Sequence, residues 1–151
     1  MFDTDAFMNW RYNLRLQAEL ASYWISQADL KAAAAHATTA LHGAEATRSR
    51  KYIAWAHKLL GDIAALEERI QDGERHYATA LGILQPHPCP TIAWKILKAA
   101  AELAQRQKDD SAAANFLGQA QAVVQSLADA IDDDKLRQGF LSAKPVRELA
   151  L

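Results

Sequence analysis

The stretch Leu60–Ala80, LGDIAALEERIQDGERHYATA, has one counterpart 40 residues earlier in the chain, at Leu20–Ala40, and one 40 residues later, at Ala100–Ala120. Three positions hold alanine or glycine in every copy, and a fourth position varies in size. The small positions are Ala21, Gly61 and Ala101; Ala33, Gly73 and Ala113; and Ala40, Ala80 and Ala120; the variable one is Ala37, Tyr77 and Leu117. Helices that pack about 8 Å apart need small side chains where they cross. Similarity at this fixed period therefore predicts a stack of helical repeats.

Helix-favouring residues dominate the chain, and the alternation typical of strands is absent. Asp29, Asp109 and the run Asp132–Asp134 are expected to cap helices, and Pro90 is expected to be the first residue of one. The predicted elements are three antiparallel helix pairs and a C-terminal capping helix, after which Val146 and Leu149 can pack as a lid. The third helix is expected to bury the apolar side chains of Tyr52, Ala56, Leu59, Leu60, Ile63 and Leu66.

These residues resemble a tetratricopeptide (TPR) array. Leu20-Ala21 and Leu60-Gly61 match the pair found in the middle of a TPR first helix, Ala28-Asp29-Leu30 matches its turn, and Tyr77 matches the aromatic position of its second helix. The period of 40 residues is longer than the usual TPR unit of about 34 residues. The closing stretch from Leu136 to Arg147 is similar to the C-terminal TPR-type regions of large bacterial ATPase and transcription-regulator proteins.

The resemblance implies an all-α, TPR-like α-solenoid that forms a single domain over residues 1–151. Its repeats would cover residues of about 5–47, 48–89 and 90–130, followed by a cap at 132–151. The chain would be either a small complete protein or a fragment of a longer one.

The resemblance also implies a concave groove lined by the first helices of successive units. The groove-facing residues it implies are Arg15, Ala18, Ser22, Trp55, Lys58, Asp62, Lys95, Lys98, Glu102 and Arg106. Some TPR proteins clamp a peptide carboxylate with asparagines in this groove, but Ser22 and Asp62 stand at those positions here. An ordinary solvated face of mixed charge is the alternative interpretation.

No pattern for a catalytic, cofactor or metal site is present in the sequence. The five histidines are expected to have structural, solvent-facing roles, and His36 and His76 lie one repeat apart. His87 and Cys89 could supply only two of the four ligands of a closed zinc site, so a half-buried thiol is expected instead. We therefore expect a protein that is not an enzyme and that needs no cofactor.

Composition narrows the classes of partner. The net charge of −1 argues against strong nucleic-acid binding, and no apolar run approaches the length of a membrane span. With a single cysteine and an acidic N-terminus, a cytoplasmic protein is expected. Phe2, Phe7 and Met8 of the first helix could mediate a homodimer.

The leading functional hypothesis is a protein–protein interaction module that binds a segment of a partner protein in the concave groove. Trp55 would be an apolar anchor, and Lys58, Lys95 and Lys98 would attract acidic groups. The alternative is a sensor or scaffolding domain of a larger bacterial signalling or regulatory protein, which makes contacts in cis or associates with itself.

Overall fold

The computed structural model describes the backbone of residues 4–149 and the side chains of residues 12–149. Within residues 4–149 the chain forms eight helices and no strand. They are α1 (Thr4–Ser26), α2 (Leu30–Ala46), α3 (Arg50–Leu66), α4 (Ile70–Leu84), α5 (Pro90–Arg106), α6 (Asp110–Asp129), α7 (Asp134–Ser142) and α8 (Lys144–Arg147). The all-helical prediction is therefore confirmed. Phe2 lies outside the described residues, and the side chains of Phe7 and Met8 lie outside the described side chains.

The chain divides into two compact units, Met1–His87 and Pro88–Leu151. In the first unit α1 packs on α2, α2 on α3, and α3 on α4. In the second unit α5 packs on α6, and the short helices α7 and α8 follow α6. Sequence-adjacent helices therefore lie side by side within each unit.

The helices begin at evenly spaced positions, at Leu30, Ile70 and Asp110 for the second helices and at Arg50 and Pro90 for the first ones. Local signals at the starts of three helices explain this regularity. The Asp29 and Asp109 carboxylates each accept a hydrogen bond from the backbone N–H three residues later, at 2.9 Å in both cases. Pro90 is the first residue of α5, where a missing N–H is tolerated. The capping predictions are confirmed at these positions.

One turn geometry joins four of the helix pairs. Ala28, Arg48, Glu68 and Lys108 all have positive φ, between 52° and 62°. The residue after each of them donates its backbone N–H to the carbonyl five residues earlier, as Asp29 does to Trp24 at 3.0 Å. This hydrogen-bonding pattern is typical of a right-handed helix that ends in one residue with the left-handed backbone conformation, and that residue is usually glycine. The equivalent position before α5 is Pro88, whose ring prevents a positive φ.

All nine small residues of the three sequence columns are buried. In the first unit, Ala18, Ala21, Ala33, Ala37, Leu59 and Ile63 form one core cluster from α1, α2 and α3. The prediction for α3 is wrong at Leu66, which is 45% exposed because it is the last residue of the helix, where the chain turns away. Val146 and Leu149 are both buried, as predicted for the lid.

Candidate functional site

The predicted groove residues fall into two groups. Arg15 and Ser22 lie on α1, and Trp55, Lys58 and Asp62 on α3; these two helices contact each other in the first unit. The remaining four residues lie on α5 of the second unit: Lys95, Lys98, Glu102 and Arg106. A single groove lined by both groups remains a prediction, so each group is described separately.

Trp55, Lys58 and Asp62 form a connected cluster on one face of α3. Residues three and four apart lie on the same side of a helix, so all three side chains project together. The Lys58 ammonium lies 5.5 Å from the centre of the Trp55 ring and donates a hydrogen bond to the Asp62 carboxylate. The other Asp62 oxygen accepts a hydrogen bond from the Tyr77 hydroxyl of α4, at 2.9 Å. We call Trp55, Lys58, Asp62 and Tyr77 the α3 cluster.

Burial makes the α3 cluster rigid. Tyr77 is 3% exposed, and the side chains of Lys58 and Asp62 are only 19% and 18% exposed. Trp55 is half-buried and packs against the core of α1, α2 and α3. The Lys58 and Asp62 side chains are therefore held in place by contacts within the chain.

Gly61 determines where Tyr77 lies. A β-carbon at Gly61 would lie 2.5 Å from Cε1 and 2.7 Å from Cδ1 of the Tyr77 ring. The ring therefore occupies the space that a larger residue at position 61 would fill. One repeat earlier the equivalent residues are Ala21 and Ala37, and one repeat later they are Ala101 and Leu117.

The α5 group repeats part of this arrangement. The Lys98 ammonium donates to the Glu102 carboxylate at 2.6 Å, as Lys58 does to Asp62. It also lies 3.2 Å from a carboxylate oxygen of Glu148, in the C-terminal segment. The next residue, Leu149, is 2% exposed, and its backbone carbonyl accepts a hydrogen bond from the Gln121 side chain of α6. Burial by itself lowers the pKa of Lys98, but the hydrogen-bonded carboxylates of Glu102 and Glu148 together raise it above its usual value.

The lysines are therefore engaged within the chain. The sequence indicated that Lys58, Lys95 and Lys98 attract acidic groups of a partner, but Lys58 and Lys98 already pair with Asp62 and Glu102. Lys95 is exposed, with its ammonium 5.7 Å from the centre of the Trp94 ring. Arg15 and Arg106 are exposed, and the Ser22 hydroxyl donates to the Ala18 carbonyl of its own helix at 3.0 Å.

A histidine pair that the sequence did not predict joins α3 to α4. Nδ1 of His57 lies 3.0 Å from Nδ1 of His76, and both rings are half-buried. One repeat earlier, Nδ1 of His36 lies 2.7 Å from Oε1 of Gln17. The expected solvent-facing role is wrong for these three histidines because each packs at a helix–helix contact; His42 and His87 are exposed, as expected.

Burial lowers the pKa of both paired histidines. For His57 this effect outweighs the opposite influence of Glu45 on α2. For His76 the neighbouring His57, Arg75 and Arg69 lower the pKa further, against Asp72. Both rings are thus held towards the neutral form. The feature of the sequence that could have indicated the histidine pair is that His57 and His76 have the same separation as Gln17 and His36.

Comparison with protein-family models, with curated proteins and with solved structures found no match. None of the described helices combines the length and the apolar character that crossing a membrane requires. Cys89 is a half-buried free thiol before α5, as predicted.

Proposed function

We propose that this protein is a non-enzymatic, TPR-like interaction module that binds a segment of a partner protein on the faces of its first helices. The contact between Lys98 and Glu148 carries the proposal. A first-helix lysine there receives an acidic side chain from a separate segment of the chain, and the neighbouring leucine is buried. Lys58 occupies the equivalent position on α3.

The contact suggests the chemistry of the partner segment. Because Lys58 is already paired with Asp62, its net attraction for distant anions is weak, and long-range steering contributes little. Affinity would come mainly from an apolar side chain placed against the half-buried Trp55 indole. A segment with an acidic residue next to a large apolar one, like Glu148-Leu149, fits both features.

Peptide selection tests this proposal. A library of random dodecapeptides is selected on the wild-type protein, and the enriched peptides are measured again on Trp55→Ala and on Tyr12→Ala. Tyr12 is a matched control because it is an aromatic residue on a first helix, 66% exposed and outside the α3 cluster. We expect acidic–apolar peptides that lose at least about tenfold in affinity on Trp55→Ala and keep it on Tyr12→Ala.

Folding of each variant is checked by circular dichroism. If Trp55→Ala were to lose its fold, Lys58→Gln would replace it, because this variant keeps the indole and removes only the charge. Peptides that bind a folded Trp55→Ala variant as tightly as the wild type would show that Trp55 is not the anchor.

Self-association or contact in cis within a larger bacterial regulatory protein is a second candidate. Tyr12, Leu16 and Tyr23 are all more than half exposed on α1. On α3, the residues one repeat after Leu16 and Tyr23 are Ala56 and Ile63, which are buried in the first unit. The apolar face that is buried on α3 is therefore exposed to solvent on α1. Sedimentation of the wild type and of Leu16→Glu tests this: a dimer that Leu16→Glu converts to a monomer would favour it.

A further inference from the structure

The outward face of α1 carries a stripe of large apolar side chains. Tyr12, Leu16 and Tyr23 are 66%, 54% and 53% exposed, and the exposed Glu19 lies between the last two. At about 100° per residue, these four residues lie within an arc of about 60°, on the side of the helix opposite to its buried residues. The outward side of a helix is normally polar, so three large apolar residues there indicate a surface that another helix covers. We call Tyr12, Leu16, Glu19 and Tyr23 the α1 stripe.

The internal repeat shows what covers this face elsewhere in the chain. On α3, the equivalents of the last three stripe residues are Ala56, Leu59 and Ile63, and all three are buried. The preceding helix α2 packs on α3, and its Leu30 and Ala34 pack against the core cluster that contains Leu59 and Ile63. Among the described helices, none precedes α1 in the way that α2 precedes α3. The α1 stripe therefore lacks the helix that covers its counterpart.

The second helix of the last pair, α6, does not offer a matching surface. Leu30 and Leu41 of α2 are half-buried, but the equivalent residues of α6 are Asp110 and Gln121, which are exposed. The Gln121 side chain also donates to the Leu149 carbonyl. Covering Asp110 and Gln121 with the apolar side chains of another copy would remove them from water without supplying new hydrogen bonds, which is unfavourable. Copies of the chain are therefore not expected to stack α1 on α6, and the surface that matches the stripe is the stripe of a second copy.

The α1 stripe is complementary to itself when two copies of α1 run antiparallel. Its members are separated by four, three and four residues, so the spacing is the same in both directions. With a two-fold axis midway between Leu16 and Glu19, Tyr12 lies opposite Tyr23 of the second copy. Leu16 lies opposite Glu19 of the second copy, and the exposed Arg15 is within reach of that carboxylate. The contact therefore contains two tyrosine pairs and two ion pairs.

Glu19 fixes the alignment of this contact. A single polar residue in an apolar seam lowers stability but specifies one register, because other registers leave it without a partner. A parallel pair of α1 helices would place the two Glu19 carboxylates opposite each other and the two Arg15 guanidinium groups likewise, which is repulsive. The antiparallel alignment instead gives each Glu19 an arginine of the other copy.

We propose that α1 pairs antiparallel with α1 of a second copy through the α1 stripe, to form a two-fold dimer. The tyrosines and leucines of the two stripes supply about 500–700 Å² of apolar surface, so the whole contact lies at the low end of specific interfaces and should be weak. The proposal rests on self-association, the second candidate function above, and gives it a surface, a symmetry and a register. It does not depend on partner binding at Trp55.

Charge reversal tests the proposed pairing. Sedimentation velocity is measured at chain concentrations up to about 1 mM for the wild type, Arg15→Glu, Glu19→Arg and the double variant. Each single variant opposes like charges at both ion pairs, so its dissociation constant should rise by at least about tenfold. The double variant restores both pairs with the charges exchanged, so it should dimerise nearly as tightly as the wild type. Lys31→Glu is the control, because it makes the same change of charge as Arg15→Glu at an exposed residue of α2.

A mixture of the two single variants provides a further test. In the mixed dimer, one copy has glutamate at positions 15 and 19 and the other has arginine at both, so both pairs are complementary. We expect the equimolar mixture to form dimers at concentrations at which each single variant alone is monomeric. Both substitutions lie at exposed positions, and circular dichroism checks that each variant keeps its helices.

The outcomes separate this proposal from the functions above. A wild type that remains monomeric up to about 1 mM would overturn both the proposal and self-association, and would mean that a different protein covers the α1 stripe. A dimer that Arg15→Glu and Glu19→Arg leave unchanged would overturn only the proposed pairing, since the copies would then meet through another surface. A dimer that the single variants weaken and the mixture does not restore would also overturn the pairing, because Arg15 and Glu19 would then not meet. Peptide selection on Trp55→Ala tests the leading function separately.

Discussion

Replacing Gly61 with alanine should lower the free energy of unfolding by about 1–3 kcal/mol, although alanine is the better helix former. The new β-carbon would lie 2.5 Å from Cε1 of Tyr77, where carbon atoms prefer about 3.5–4.0 Å, so the ring must move by about 1 Å. Overpacking of this kind costs about 1–3 kcal/mol. Moving the ring also strains its hydrogen bond to Asp62, which adds about 1 kcal/mol. The helix gains about 1 kcal/mol from the loss of glycine, which is too little to compensate.

Gly82 provides a matched control within the same helix pair. It lies inside α4, and a β-carbon there would meet nothing within 4 Å. Gly82→Ala should therefore stabilise the protein by up to about 1 kcal/mol. Urea denaturation followed by circular dichroism measures both variants. If Gly61→Ala proved as stable as Gly82→Ala, the proposed collision with Tyr77 would be refuted.

A double mutant tests the same idea through the internal repeat. Gly61→Ala with Tyr77→Leu reproduces the natural pair Ala101 and Leu117. The smaller leucine should accept the added β-carbon, so the double mutant should be more stable than the sum of the single effects by at least about 1 kcal/mol. Strictly additive single effects would mean that the two positions do not compensate each other in size.

Three further outcomes follow from the structure. Stability should fall as the pH drops below about 6.5, because the lowered pKa of His57 and of His76 makes the folded state bind fewer protons than the unfolded one; the fall should be smaller in His57→Gln, as read from urea denaturation at pH 5–8. Asp62→Ala should lower the free energy of unfolding by about 1–3 kcal/mol, since it removes the acceptor of the hydrogen bonds from Lys58 and Tyr77. Glu102→Ala, in a more exposed ion pair, should lower it by less than about 1 kcal/mol in the same assay, and equal losses would contradict the account of the α3 cluster. Lys108→Gly should raise Tm, because glycine adopts the φ of 62° with less strain than lysine, and an unchanged or lowered Tm would show that the turn is not strained.

The sequence predicted the helices well because their ends carry local chemical signals. Asp29, Asp109 and Pro90 act through contacts within three residues, and such contacts need no knowledge of the fold. The turns at Ala28 and Glu68 carry no such signal, since neither residue favours positive φ. Their geometry follows from the packing of the helices on either side, and the traces of it in the sequence are the common spacing and the resemblance of Ala28-Asp29-Leu30 to a TPR turn.

The candidate site was predictable only in part, for a similar reason. The repeat register placed Trp55, Lys58 and Asp62 together because they share one helix face. It gave no information on Tyr77 as a partner of Asp62, or on His57 as a partner of His76, since both contacts cross between helices. Because Lys58 is paired with Asp62, the surface beside Trp55 has a balanced charge, whereas the sequence indicated a basic surface.

The middle helix pair differs from its two counterparts at the positions where the chemistry of a binding site would lie. One repeat before the α3 cluster, its place is taken by Arg15, Ala18, Ser22 and Ala37, which include no aromatic residue and no ion pair between equivalent positions. One repeat after it, a lysine–carboxylate pair remains, but leucine replaces Tyr77 and lysine replaces Trp55. The histidine pair likewise occurs only between α3 and α4 among the three equivalent contacts. The shared small residues keep the helices packed in every copy, so these differences are not part of the packing common to the three pairs. They concentrate in α3 and α4, which makes this helix pair the place where loss of function should be sought first.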